Sequence, residues 1–195
     1  GRRIVRICEI ADRRHVVLET AEDTPPAPDA IARLLADDPA ITHVVLIHCE
    51  TTSGILNPLD GIATVVAAAG RRLIVDAMSS FGGLPIDLQD VGIDFLVSSA
   101  NKCIQGVPGF GFIIARRDAM TACEGNARSL SLDMYQQWRA MEDGSGKWRF
   151  TSPTHVTRAF HQAMNELEAE GGIAKRAARY RENHRVLVEG MRKLG

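Results

Sequence analysis

Long apolar runs are absent from this chain. No stretch approaches the roughly 18 residues that a membrane-spanning helix needs, so we predict no membrane span. Charge of one dominant sign is missing too, because 23 Lys and Arg residues stand against 24 Asp and Glu residues, for a formal net charge of −1. Such a balance offers no electrostatic footprint for nucleic acid or for an anionic membrane surface. We therefore predict neither nucleic acid nor a membrane as a partner.

Cysteine clusters are likewise lacking. The four cysteines (Cys8, Cys49, Cys103 and Cys123) are widely spaced, none belongs to a CxxC pair, and the histidines are not clustered. That spacing argues against a disulfide framework and against a zinc site, so we predict no bound metal. It is typical of reduced, structural thiols, and it predicts a cytoplasmic protein.

Strand and helix patterns alternate along the 195 residues, a length sufficient for one sizeable core. Apolar runs predict strands over residues 15–18, 42–48, 72–76, 94–98 and 110–115. The run at 42–48 has the continuous apolar character of a strand that is buried on both faces of a parallel sheet. No helix separates the last two strands, so we expect the final one to run antiparallel. The alternation predicts an α/β fold with a mainly parallel, doubly wound sheet.

Amphipathic spacing predicts the helices of this fold. They cover residues 4–11, 31–35, 60–69, 153–170 and 173–194. Asp60 is a candidate cap for the third of them, and Gly171 and Gly172 separate the last two. Residues 122–146 are more polar and irregular, so we predict a surface excursion there.

Two chemically important side chains follow apolar strands. Asp76 ends the strand at 72–76, and Lys102 comes just after the strand at 94–98. Ligands of open α/β sheets bind at the carboxyl ends of parallel strands. Asp76 alone is also compatible with a helix cap or a metal ligand, and Lys102 alone with a surface lysine. Together they are what a pyridoxal phosphate enzyme requires, since the carboxylate holds the pyridine nitrogen protonated and the amine forms the Schiff base.

Other polar residues near the same edge leave two interpretations open. Thr52 and Ser53 follow the strand at 42–48, where their hydroxyls suit an ordinary turn or a contact with a cofactor. His48 fits a packed core histidine as well as a site residue. Thr151 precedes the helix at 153–170, and there the pattern favours a simple N-cap over a phosphate contact.

Four segments closely resemble the fold-type I aminotransferases of class V and, within that class, the 2-aminoethylphosphonate–pyruvate transaminases. The similarity covers nearly the whole chain, with the segments in the expected order: His-Cys-Glu-Thr-Thr-Ser-Gly-Ile-Leu-Asn-Pro at 48–58, Val-Asp-Ala-Met-Ser-Ser-Phe-Gly at 75–82, Ser-Ser-Ala-Asn-Lys-Cys-Ile-Gln-Gly at 98–106 and Arg-Phe-Thr-Ser-Pro-Thr-His at 149–155. The aspartate and the lysine belong to the whole class, whereas the first and third segments are specific to the phosphonate branch.

The resemblance implies a role for each candidate site residue. Lys102 would carry pyridoxal 5'-phosphate as a Schiff base and act as the catalytic base, while Asp76 would pair with the pyridinium nitrogen. Thr151 would reach the phosphate of the cofactor in a second subunit, which implies a homodimer with shared active sites. The remaining cofactor contacts that it implies are Asn101 at the phosphate and Thr52 or Ser53 at the ring oxygen.

The activity that the resemblance implies is transfer of the amino group of 2-aminoethylphosphonate to pyruvate, giving phosphonoacetaldehyde and L-alanine. The alternatives are another class V transaminase, of the alanine–glyoxylate or serine–pyruvate type, and an inactive folded fragment. A cysteine desulfurase is disfavoured, because Cys103 and Cys123 lack the setting of a mobile catalytic cysteine. The resemblance also implies that residues 1–170 are part of the large cofactor-binding domain, incomplete at both ends. Residues 171–195 would be a helix leading toward a C-terminal small domain that is absent from the chain.

Overall fold

The computed structural model describes all residues of the chain, 1–195. Its four strands are β1 (His43–Ile47), β2 (Arg72–Asp76), β3 (Phe95–Ser99) and β4 (Gly111–Ala115). Its eight helices are α1 (Arg2–Ile10), α2 (Pro28–Asp37), α3 (Leu59–Ala68), α4 (Leu88–Val91), α5 (Arg117–Thr121), α6 (Met134–Asp143), α7 (Thr154–Ala169) and α8 (Gly172–Leu194). None of these helices combines the length and the apolar composition that crossing a bilayer requires.

The four strands form one sheet in the order β1-β2-β3-β4. β1 and β2 pair in parallel with Ile47 opposite Asp76, and β2 and β3 pair in parallel with Asp76 opposite Val97. Helices connect these parallel strands, as the chain must in a parallel sheet. The predicted α/β fold with a mainly parallel sheet is confirmed.

β4 runs in the opposite direction to β3. The Ala100 N–H donates to the Phe110 carbonyl (3.3 Å), and the Arg116 N–H donates to the Asp94 carbonyl (2.9 Å). As the chain advances along β3, its partner residue therefore moves backward along β4, which defines an antiparallel pair. The expected antiparallel strand is thus confirmed.

Two compact units divide the chain. The first consists of Gly1–Ala77, Leu88–Val97 and Ile113–Ser152. The second consists of Met78–Asp87, Ser98–Phe112 and Pro153–Gly195, and so contains both α7 and α8. The assignment of residues 171–195 to a helix that leads toward a further domain stays a prediction.

β2 and α3 supply the centre of the first unit. Leu73 and Val75 share one face of β2, because side chains alternate along a strand, and they are 1% and 0% exposed. On α3, Ile62 and Val66 lie one helical turn apart and are equally buried. Burial of each such side chain contributes about 1.5–3 kcal/mol. This layer holds β2, and with it the terminal Asp76, in place.

Two strand predictions need correction. Residues 15–18 are exposed and form no strand, because no neighbouring strand offers them a hydrogen-bonding ladder. The strand predicted at 42–48 is parallel as expected, but it is not buried on both faces. β1 lies at the edge of the sheet, where Leu46 is buried and Val45 is 41% exposed.

Two helix predictions also need correction. Asp60 does not cap α3, because Pro58 occupies the N-cap and Asp60 lies within the first turn, where its charge favours the helix dipole. The region predicted to be irregular, 122–146, contains α6. Its N-cap Asp133 accepts a hydrogen bond from the Gln136 N–H (3.0 Å), which stabilises the start of a short polar helix.

An aromatic cluster and the α7–α8 pair build the second unit. Gly171 and Gly172 adopt φ values of +102° and +74°, and this left-handed backbone separates α7 from α8 as predicted. Phe110 and Phe112 pack on Phe160 of α7, with ring centroids 5.2 Å and 5.6 Å apart. These ring contacts anchor the chain segment that includes Lys102 on α7.

Asp94, directly before β3, ties two strands together. Its carboxylate accepts hydrogen bonds from the Leu73 N–H (2.8 Å) and from Nη1 of Arg72 (2.9 Å), and the residue is 5% exposed. We expect Asp94→Ala to lower the free energy of unfolding by about 3 kcal/mol, because both donors lose their buried acceptor. Urea unfolding measures the change. Asp143→Ala, which removes only an exposed partner of Arg139, is the control, and equal losses in the two variants would contradict this account.

Candidate active site

Asp76 ends β2 between two parallel neighbours. Its carbonyl accepts the His48 N–H (2.9 Å), and the Ala77 N–H donates to the Val97 carbonyl (2.9 Å), so the backbone on both sides is fixed. Val75 and Ala77 are fully buried, while Asp76 is half-buried. The carboxylate therefore stands at the C-terminal edge of the parallel strands, where α/β proteins bind their ligands.

The loop after β1 carries Thr52 and Ser53 at its exposed tip. The base of the loop is closed by the Glu50 N–H, which donates to the Ile55 carbonyl (2.9 Å), and by the Gly54 N–H, which donates to the Glu50 carbonyl (3.0 Å). These bonds support the interpretation of an ordinary turn. Contact of either hydroxyl with a cofactor stays a prediction.

His48 is a buried residue, 6% exposed, at the end of β1. The Asn57 N–H donates to its carbonyl (2.8 Å), and Nδ2 of Asn57 donates to the Ile47 carbonyl (2.8 Å). Burial lowers the pKa of His48, and the Asp60 carboxylate opposes that shift only in part. The structure therefore supports a packed core histidine with a neutral imidazole.

This burial makes the stability of the protein sensitive to acid. The unfolded chain binds a proton at His48 near pH 6.5, whereas the folded chain resists it. The stabilisation is complete above the unfolded pKa and is lost as the pH falls toward the lowered folded pKa. We expect the melting temperature to fall between about pH 7 and 5, and less steeply in His48→Gln. His184→Gln, at an exposed position of α8, should keep the wild-type slope, and equal slopes in all three proteins would refute the assignment.

Lys102 lies on a tight turn directly after β3. The Gln105 N–H donates to the Lys102 carbonyl (2.8 Å), and the Gly106 N–H donates to the Ala100 carbonyl (2.9 Å). A Cβ at Gly106 would come within 2.7 Å of that Ala100 oxygen, so the turn requires glycine there. Ile104 is 2% exposed, whereas the Lys102 side chain is exposed. The backbone of the turn is thus fixed while the amine remains accessible.

Asp76 belongs to the first compact unit and Lys102 to the second. The strand register sets Asp76 opposite Val97 of β3, and Lys102 follows the end of that same strand. Asp76 therefore ends one parallel strand and Lys102 follows the neighbouring one, as the sequence predicts. That the carboxylate and the amine act on one cofactor stays a prediction.

No hydroxyl of Thr151, Ser152 or Thr154 caps α7, which corrects the favoured interpretation of that segment. The N-cap position is occupied by Pro153, and no side chain bonds the free amides at that end of the helix. The helix begins later than a cap at Thr151 would require, and the Thr151 side chain is exposed. Asn101, by contrast, is half-buried on the same turn as Lys102. Contact of either residue with a phosphate stays a prediction.

Ser99 is a residue that the sequence predictions missed. Its Oγ is buried at the end of β3 without a hydrogen-bond partner in the chain, although buried hydroxyls are normally paired. A buried, unpaired hydroxyl can accommodate a polar ligand. The amine of Lys102 and the carboxylate of Asp76 are the groups that the chemistry of pyridoxal phosphate uses. The available indication is the pair of serines, Ser98 and Ser99, that ends the apolar run of β3.

Comparison with known proteins identifies the class. The sequence model of the family described as Aminotransferase class-V matches residues 4–195. The chain therefore belongs to the class-V aminotransferase family, whose members depend on pyridoxal 5'-phosphate.

Individual relatives show which members of the family the chain is similar to. The 2-aminoethylphosphonate–pyruvate transaminase of Syntrophobacter fumaroxidans is 58% identical over 195 residues, which are 100% of this chain and 53% of that protein. The transaminase of the same name from Bacteroides fragilis is 60% identical over 193 residues, covering 97% of this chain and 53% of that protein. The crystal structure of alanine–glyoxylate aminotransferase from Nostoc sp. has a TM-score of 0.88 at 21% identity, over 100% of this chain and 52% of that one, and shows the same fold. The chain spans about half the length of the curated relatives that it matches.

Proposed function

We propose that the whole protein transfers the amino group of 2-aminoethylphosphonate to pyruvate, giving phosphonoacetaldehyde and L-alanine. The observation that carries this proposal is the identity of 58% and 60%, over 100% and 97% of the chain, with two curated transaminases of that name. The neighbour named for alanine and glyoxylate is 21% identical and supports the architecture alone.

The chain contributes two reactive side chains to this chemistry. Pyridoxal 5'-phosphate, when bound, supplies the electron sink that makes a proton on the amine-bearing carbon removable. In the proposal, Lys102 binds the cofactor through its amine, and its Nζ takes that proton and later returns it. The Asp76 carboxylate holds a proton at the pyridine nitrogen by its negative charge. The position of each residue at a parallel-strand end supports these roles.

Further residues complete the proposed site. Asn101 would bind the cofactor phosphate, and either Thr52 or Ser53 would bind the ring oxygen. Thr151 would contact the cofactor phosphate in a second subunit, so a homodimer with shared sites is part of the proposal. The exposed position of Thr151 supports this role. The four cysteines are all free thiols, which supports a cytoplasmic location.

A substrate panel on the full-length protein with bound cofactor tests the activity. The amino donor and acceptor pairs are 2-aminoethylphosphonate with pyruvate, L-alanine with glyoxylate, and L-serine with pyruvate. We expect kcat/KM for the first pair to exceed the others by at least about 10²-fold, since a site built for a polar group strongly rejects substrates that lack it. A higher kcat/KM for another pair would reject 2-aminoethylphosphonate as the substrate, but the protein would still be a class V transaminase. Absence of turnover with every pair would reject the proposed activity.

A further inference from the structure

Arg176 is a buried cation near the start of α8. The residue is 2% exposed, and a guanidinium in such a place is costly unless it is paired. Its first partner is Glu170, whose Oε2 accepts hydrogen bonds from Nε (2.9 Å) and Nη2 (2.7 Å) of Arg176. These two charge-assisted bonds converge on one carboxylate oxygen and hold the edge of the guanidinium in place.

Arg179 keeps Glu170 charged. Nε of Arg179 donates to Oε1 of Glu170 at 2.8 Å, on the oxygen that Arg176 does not use. Hydrogen bonds from Arg179 and Arg176 lower the pKa of Glu170 to about 2. The carboxylate therefore stays ionised at any pH at which the protein would work, and it orients Arg176 continuously.

The third nitrogen of Arg176 points away from Glu170 and reaches the turn that carries Lys102. Nη1 donates to the Cys103 carbonyl at 2.8 Å and to the Ile104 carbonyl at 3.2 Å. These are the two carbonyls that directly follow Lys102 in the chain. A buried charge on α8 thus holds the backbone next to the exposed amine.

The surrounding contacts keep the same turn against α8. Nε2 of Gln105 donates to the Tyr180 hydroxyl (2.9 Å). A Cβ at Gly83 would lie 2.8 Å from Sγ of Cys103 and 2.9 Å from the Tyr180 ring, so the chain there packs at glycine distance. Because the turn is packed this closely, loss of a contact that holds it should displace its backbone.

We propose that Arg176 is a positioning residue for Lys102: oriented by Glu170, it fixes the Cys103 and Ile104 carbonyls and so sets the direction of the Lys102 amine. The inference rests on the proposed role of Lys102 in amino-group transfer. Arg176 itself does not act on the substrate. Its effect is geometric, and displacement of a reacting group by about 1 Å can cost about 10²-fold in rate.

The test compares Arg176→Gln and Arg176→Lys with a matched control, Arg185→Gln, in the full-length protein. Arg185 also pairs with two acidic residues on α8, Glu182 and Glu189, but none of its bonds reaches the Lys102 turn. Two readouts are independent of turnover. One is the pH midpoint of the visible absorption band of lysine-bound pyridoxal phosphate, and the other is amide hydrogen exchange over residues 100–106 in the cofactor-free protein.

We expect Arg176→Gln to lower kcat by about 10²-fold with little change in KM, because the turn is displaced while the substrate contacts remain. The pH midpoint of the band should differ from that of the wild-type protein by more than the midpoint of Arg185→Gln does. Amide hydrogen exchange over residues 100–106 should accelerate. Arg176→Lys keeps a cation within reach of a carbonyl and should recover part of each effect. Arg185→Gln should match the wild-type protein in all three measurements.

A folded Arg176→Gln protein with the wild-type pH midpoint and exchange rates would overturn the proposal, whatever its activity. If that variant does not fold, Glu170→Gln tests the proposal instead, because it keeps Arg176 but removes the charge that orients its guanidinium. It should move the midpoint in a smaller but measurable way, and an unchanged midpoint would overturn the proposal. Failure of the substrate assignment can be distinguished from failure of this proposal, since neither readout requires an amino donor. A wild-type protein that forms no band would reject both the proposed function and this inference.

Discussion

Lys102→Ala should abolish the visible absorption band of bound pyridoxal phosphate and lower kcat/KM by at least about 10³-fold. The substitution removes both the amine that would bind the cofactor and the base, and proton transfer alone contributes about 10²–10⁴-fold. A 10³-fold loss corresponds to about 4 kcal/mol of transition-state stabilisation. Because Lys102 is exposed and backbone bonds at Gln105 and Gly106 fix its turn, the fold should be unchanged. Absorbance, steady-state kinetics and thermal unfolding measure the three quantities.

Lys147→Ala is the control for this substitution, because it removes a lysine that is equally exposed but lies far along the chain. It should keep the band and the rate. A small primary amine such as methylamine should restore part of the activity of Lys102→Ala, since the missing group is an amine. Full activity in Lys102→Ala without any addition would reject the catalytic role of Lys102. If the wild-type protein shows no absorption band of bound pyridoxal phosphate, the hypothesis of an inactive folded fragment would be favoured over that of an enzyme.

The strands show which parts of the fold a sequence can predict. The sequence predicts β2 with its observed bounds, because a short apolar run that ends in a charged residue is a local pattern. Residues 15–18 have a similar apolar pattern and form no strand, since a strand also needs a neighbour to bond with. The exposure of Val45 likewise depends on neighbouring strands. The apolar sequence of β1 is typical of a buried strand, and Val45 is exposed only because β1 lies at the edge of the sheet.

The candidate site shows the same division between local and tertiary information. The pattern of the chain alone predicts Asp76 and Lys102 at strand ends. The contact of Arg176 with the Cys103 carbonyl joins residues 73 positions apart, and an arginine in an amphipathic helix ordinarily suggests a solvent-exposed face. The side-chain cap predicted for the segment 151–154 is wrong, because Pro153, which has no hydroxyl, occupies the N-cap position.

Asp76→Asn should lower kcat/KM by about 10²–10³-fold, the loss typical when one preorganised electrostatic contact is removed from a site. Asparagine keeps the shape of the side chain, so the register of β2 with Ile47 and Val97 should survive. What is lost is the negative charge that would hold a proton at the pyridine nitrogen. Steady-state kinetics measure the effect, and Asp76→Glu, which keeps the charge on a longer stem, should lie between the variant and the wild-type protein.

A cofactor analogue separates the charge of Asp76 from its part in the fold. An N-methylated pyridinium ring carries a permanent positive charge, so no proton needs to be held at that nitrogen. With this analogue, Asp76→Asn should lose far less activity relative to the wild-type protein than it does with the natural cofactor. Asp29→Asn, an exposed carboxylate in the first turn of α2, is the control and should follow the wild-type protein with both cofactors. Equal losses with both cofactors would show that Asp76 acts through the structure of β2, and the electronic role would then belong to another residue.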